Sequence, residues 1–152
     1  MDADCLIKLA KSSLKEFVCR NFSVAIPTIV EKEIVVDLKK HPDAVLIKQN
    51  IETDLLAVTE SKGSAERGED AIFEVFQAGQ YDAICSDDKK FIKRLRIFNI
   101  PYLTPAVLII VLLKNKTIHV ETALHHLESL LPMISEEEYS TVKVIIENRR
   151  WE

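Results

Sequence analysis

Apolar residues recur three and four positions apart from the start of the chain. Leu6, Ile7, Leu9, Ala10 and Leu14 share a helical face that Phe17, Val18 and Phe22 continue, so a first helix is predicted almost at the N-terminus. Ser23 to Ile26 is a short β-prone run closed by Pro27. Thr28 can then cap a helix from Ile29 to about Lys39, with Glu31 completing a capping box. Leu55 to Thr59 reads as a strand, and the polar stretch Ser61 to Gly68 as a loop. Ala71, Ile72, Val75 and Phe76 mark a helix from near Glu69 that stops at Gly79. Asp82 to Ser86 is a compact strand, followed by a basic amphipathic helix through Phe98 and a last strand at Ile100 to Leu103. Thr104 can cap an apolar helix through Leu113. Two more helices follow, at about Val120 to Leu131 and Glu136 to Asn148, the second opened by a capping box of Ser135 with Glu138.

This alternation of strands and helices is the pattern of an α/β protein, with a mostly parallel sheet covered by helices. At 152 residues the chain is expected to form one domain, residues 1–152, in which 113–152 are a helical C-terminal extension. A composition of 47% hydrophobic and 29% charged residues, with three Gly and five Pro, fits a packed protein rather than a disordered one. Cys5, Cys19 and Cys85 form no CxxC pair and read as reduced core thiols. The apolar run from Ala106 to Leu113 is far short of the ~18 residues a membrane span requires, and no leader pattern opens the chain, so a cytoplasmic location is expected. The formal net charge is −4, so a polyanionic partner has to be held by a local basic patch or through bound metal.

Acidic residues gather at four separated places: Asp2 with Asp4, Glu31 with Glu33, Glu69 with Asp70, and Asp87 with Asp88. Each adjoins or lies in a predicted element, and the last pair sits at the carboxyl end of a strand, where open α/β sheets form their binding crevices. Were these places to converge, mutual repulsion would call for a neutralising cation. Oxygen ligands select hard ions such as Mg²⁺ or Mn²⁺, and His41, His119, His125 and His126 form no zinc pattern. A hard ion beside a basic patch suits phosphodiester hydrolysis.

The same residues carry a family resemblance. DADCLIKLAK from Asp2 resembles the first motif of PIN-domain ribonucleases. IPTIVEKEIV from Ile26 is similar to the second, presenting Glu33. GEDAIFEVFQAG from Gly68 is similar to the third, mapped to Asp70 with its neighbour Glu69 about 100° around the helix. SDDKKF from Ser86 is similar to the fourth, presenting Asp88. The resemblance runs to about Leu113, and ISEEEY at Ile134 to Tyr139 looks like the C-terminal addition of a VapC-like toxin subgroup. It implies a three-layer α/β/α sandwich and a Mg²⁺- or Mn²⁺-dependent endoribonuclease with Asp2, Glu33, Asp70 and Asp88 as catalytic and metal-binding acids, Asp4, Glu69 and Asp87 standing second. As partners it implies an RNA substrate and, for a toxin, an antitoxin protein. In that family a strand of several residues leads into the first acid, whereas here Met1 alone precedes Asp2: either the given start is too late or that strand is missing or minimal.

Other readings compete. Taken singly, Asp2, Asp4, Glu69 and Asp70 suit helix N-termini, and Glu33 a solvated charged face. Lys8, Lys89, Lys90 and Arg94, with Lys11, Lys93 and Arg96, could hold an RNA backbone or simply be solvated. Asp2-Ala3-Asp4 also resembles the DxD pair of haloacid-dehalogenase phosphatases, and a non-catalytic PIN-like interaction module is a third possibility. The apolar surface of the later helices suggests a homodimer.

Overall fold

The computed structural model describes residues 1–36, 43–52, 55–61 and 67–152. In chain order the elements are α1 (Ala3–Lys11), α2 (Lys15–Asn21), β1 (Ala25–Pro27), α3 (Thr28–Val36), α4 (Asp43–Glu52), β2 (Ala57–Thr59), α5 (Gly68–Ala78), β3 (Ile84–Cys85), α6 (Lys89–Ile97), β4 (Tyr102–Leu103), α7 (Pro105–Lys114), α8 (Val120–Leu130) and α9 (Glu136–Glu147). A short 3-10 turn at Leu131–Met133 joins the last two helices.

The apolar stripe expected to form one N-terminal helix is cut into two. Ser13 takes a left-handed conformation, φ 60°, and the N–H groups of Ser13 and Leu14 return to the carbonyls of Ala10 and Leu9 at 3.2 and 2.9 Å. This is the paired closure of a Schellman turn, and its usual apolar contact is available because Leu9 and Leu14 are both fully buried in one cluster. The predicted second helix starts at Thr28, one residue early; its part beyond Val36 lies outside the described residues, as do residues 62–66 of the predicted Ser61 to Gly68 loop. Helix α4 has no counterpart in the sequence reading. Helices α5, α6, α7, α8 and α9 match their expected spans within one or two residues.

The strands are parallel, and the mixture of helix and strand is α/β. Among the described residues the strands form two separate parallel pairs rather than one continuous central sheet. Strand β1 pairs with β2, Ala25 opposite Ala57 and Pro27 opposite Thr59; β3 pairs with β4, Ile84 opposite Tyr102 and Cys85 opposite Leu103. The first two residues join the pairs. The Met1 amino group donates to the Ala25 carbonyl at 3.2 Å, and the Asp2 N–H to the Cys85 carbonyl at 3.1 Å. A cavity borders both pairs, lined among others by Met1, Val24, Ala25, Ala83, Ile84 and Cys85.

Two clusters make up the core. One packs Leu9, Leu14 and Val18 against Leu112, Leu127, Val142 and Ile146 of the last three helices; the other joins Leu6, Ile26, Val30, Ile72, Ile84, Phe91 and Leu95. Among the described residues no helix is long and apolar enough to cross a membrane.

Candidate active site

Three helix starts and one strand end meet at a single cleft. Asp2 is the N-cap of α1: its Oδ1 accepts a hydrogen bond from the Cys5 N–H at 2.8 Å. Asp88 plays the same part for α6, Oδ1 accepting from the Phe91 N–H at 2.8 Å. Both use an aspartate where helix N–H groups lack partners and the helix dipole favours negative charge. Between them lies Ser86, fully buried at the end of β3. Its hydroxyl oxygen accepts from the Asp88 N–H at 3.2 Å, and its side chain hydrogen-bonds to that of Asp2.

Glu33, Glu69 and Asp87 line the same cleft, with Asp4, Lys8 and Lys89. Glu33 comes from α3 and meets the first residue of α5. A Cβ placed on Gly68 would come within 2.8 and 2.9 Å of the two Glu33 carboxylate oxygens, so glycine is what allows that approach. Asp70 is elsewhere. Its Oδ1 accepts a 2.5 Å bond from Arg94, whose guanidinium lies 4.7 Å from the centre of the Phe73 ring, and it does not line the cleft. Neighbouring positions on a helix point about 100° apart, and here the rotation brings Glu69 into the cleft and Asp70 to Arg94.

Among the candidate RNA-binding groups, Lys89 borders the cleft and is exposed, as is Lys90 beside it. Arg94 is engaged by Asp70, and Lys8 is ion-paired with Asp87 and lies 3.0 Å from Asp4. Burial pushes the Asp2 carboxyl above its ordinary value, and the charge of Asp87 adds to the effect against the opposing pull of Ser86, the Cys5 N–H and the terminal amine. Burial alone would lower the Lys8 ammonium, but Asp87 and Asp4 outweigh it and hold the pKa high. Cys5 and Cys85 are free and buried with their sulfurs 3.0 Å apart, and burial raises the Cys5 thiol well above its ordinary value, so it stays protonated.

The donors in this cleft are all oxygens, which fits a hard divalent cation. Among the described residues no three His, Cys, Asp or Glu side chains are close enough together to hold a metal ion. Asp2 and Asp88 each cap a helix through one oxygen, and a carboxylate has a second oxygen with which to meet a cation.

A family model described as a PIN domain matches residues 1–148. The chain belongs to the PIN-domain family. Members of this family are typically nucleases and generally use divalent metals, which agrees with an acidic cleft at the carboxyl end of a strand. No curated protein and no solved structure shows significant similarity to the chain. Sequence reasoning took the resemblance of SDDKKF through its serine but gave Ser86 no role; the signal available was a polar residue ending an apolar strand two positions before the acid. Gly68 was visible only as the first residue of a motif.

Proposed function

We propose that this PIN-domain protein is a metal-dependent endoribonuclease whose acids are Asp2, Glu33, Glu69 and Asp88. The observation that carries this reading is that acids from four distant stretches of sequence line one cleft. Asp2, Glu33 and Asp88 are the acids expected from the family motifs, and the geometry favours Glu69 over Asp70 as the fourth. To hold Mg²⁺ or Mn²⁺ these carboxylates would have to draw together on the ion, since no three of them stand close enough to do so as placed. When bound, such an ion supplies Lewis-acid neutralisation of charge on a phosphate and acidifies water. The chain's own residues prepare the cleft: Ser86 fixes Asp2 relative to Asp88, and Gly68 lets Glu33 approach α5. Exposed Lys89 and Lys90, at the start of α6, supply positive charge for an RNA backbone in a chain of net charge −4.

The test is cleavage of a labelled RNA mixture in Mn²⁺ or Mg²⁺, with EDTA and Asp88→Asn as controls. Activity lost in both controls supports the reading; activity indifferent to both overturns it.

A further inference from the structure

Cys5 and Cys85 bring two thiols together across 80 positions of sequence, their sulfurs 3.0 Å apart in the cluster built on the last three helices. Cys5 lies in the first turn of α1 and is fully buried, while Cys85 ends β3 and is 8% exposed. A disulfide bond is about 2.0 Å long, so the sulfurs have to close by only about 1 Å. Cys85 also lines the cavity that borders the two strand pairs, and Cys5 does not. That cavity measures about 450 Å³, against ~30 Å³ for a water molecule in the liquid, so a small oxidant has room beside Cys85. The proposed cleavage of RNA uses neither thiol.

We propose that Cys5 and Cys85 form a dithiol site that hydrogen peroxide converts to an intramolecular disulfide, clamping α1 to β3. In the first step the Cys85 sulfur attacks one peroxide oxygen. An S–O bond forms, the O–O bond breaks, the thiol proton leaves with the departing oxygen as water, and Cys85 becomes a sulfenic acid. In the second, the Cys5 sulfur displaces the hydroxyl from Cys85. The S–S bond forms, the S–O bond breaks, and the Cys5 proton leaves with the hydroxyl as a second water. The two thiols together lose two electrons, and the peroxide that takes them is reduced to water. The order of the steps follows from access, since Cys85 faces the cavity and Cys5 is sealed in the core. The Cys5 N–H holds Asp2, and Cys85 directly precedes Ser86, which holds the Asp88 N–H; the bond therefore joins the two segments that carry these acids. The pair needs no metal, so this inference stands or falls separately from the metal-dependent reading.

Oxidation of the folded, fully reduced chain by hydrogen peroxide in EDTA tests it, followed by denaturation, alkylation and mass spectrometry. The expected product has lost two hydrogens and keeps one alkylatable thiol, Cys19, and peptide mapping joins Cys5 to Cys85. Closing so long a loop should raise Tm by several degrees, and dithiothreitol should reverse the shift. Cys19→Ser should cross-link as the unsubstituted chain does. Cys5→Ser should stop at a Cys85 sulfenic acid that dimedone traps, and Cys85→Ser should leave Cys5 reduced. Survival of all three thiols, a disulfide that uses Cys19, conversion of Cys85 to its sulfinic acid while Cys5 stays free, or a cross-linked chain with an equal or lower Tm overturns the proposal. These four outcomes are read on the unsubstituted chain and do not depend on any variant folding.

Discussion

Ser86 connects two acids through one hydroxyl, accepting from the Asp88 backbone and bonding to the Asp2 side chain. Groups that orient metal ligands from behind typically control affinity 10- to 100-fold, so Ser86→Ala is expected to weaken Mn²⁺ binding by about that factor, read by calorimetry. Asp2 has a second, opposite effect on stability. Burial, with Asp87 adding to it, raises its carboxyl above 3.8, so the folded chain holds that proton more tightly than the unfolded chain does. Below about pH 4 both states are protonated and nothing is lost; as pH rises through the elevated value the folded state gives up a favoured proton, and stability falls until the group is fully ionised. Asn caps a helix as well as Asp and carries no charge. Asp2→Asn in EDTA should therefore melt at a higher Tm than the parent at pH 7, with the gain shrinking toward about pH 4, while RNA cleavage in Mn²⁺ drops on the order of 10²-fold or more. At this scale the sequence carried the motif acids but not their partners. Glu69 and Asp70 differ only by a rotation about one helix, and the side chain that engages Asp70, Arg94, lies 24 positions away on another. The pairing of Lys8 with Asp87 spans 79 positions and has no local signature.

Helix ends place the cleft, and the ends were the most legible parts of the chain. Thr104 accepts from the Val107 N–H at 3.3 Å and Ser135 from the Glu138 N–H at 3.1 Å, both at predicted caps. A cap needs only a residue type at a fixed offset from an apolar run, so a short window reveals it. The break at Ser12–Ser13 was hidden because the apolar spacing runs on across the turn: Ile7, Ala10 and Leu14 keep the spacing of a continuous helix, while the Leu9–Leu14 closure belongs to the turn alone. Strands of two or three residues are too short to show a period of two, so their existence could be read and their assembly into separate pairs could not. The junction of α3 with α5 yields a prediction of its own. Ala is favoured over Gly within a helix by about 1 kcal/mol, but at Gly68 its Cβ would press on both Glu33 oxygens. Gly68→Ala should leave the thermal midpoint within a few degrees of the parent, since the helix gain offsets the clash, and reduce cleavage about tenfold or more by displacing Glu33. A Tm scan beside a single-turnover assay separates the two effects.

Across the whole molecule the two core clusters meet along α1, α2 and β3. Helix α1 sends Cys5 and Leu9 into the cluster built on the last three helices and Leu6 into the one beneath the acidic cleft, with Asp2 at its cap. Of the three, α1 is the one that ends at an acid of the cleft, so it links the helical C-terminal third to the cleft, although the cleft's lining residues all come from the first 91 positions. Leu6 and Leu127 are both fully buried, and truncating such a leucine costs about 2 to 5 kcal/mol, depending on how far the cavity collapses. Leu127→Ala removes packing far from the acids. It should lower the denaturant midpoint while leaving cleavage per folded molecule nearly unchanged. Leu6→Ala removes packing one turn behind Asp2, so α1 can settle into the cavity and carry its cap with it. It should lower the midpoint comparably and also slow cleavage, because displacements of about 1 Å at a reacting centre cost on the order of 10²-fold. Equal cleavage by the two variants, measured at a temperature where both are folded, would mean that α1 does not transmit core packing to the cleft and that Asp2 is held by its links to β3 alone.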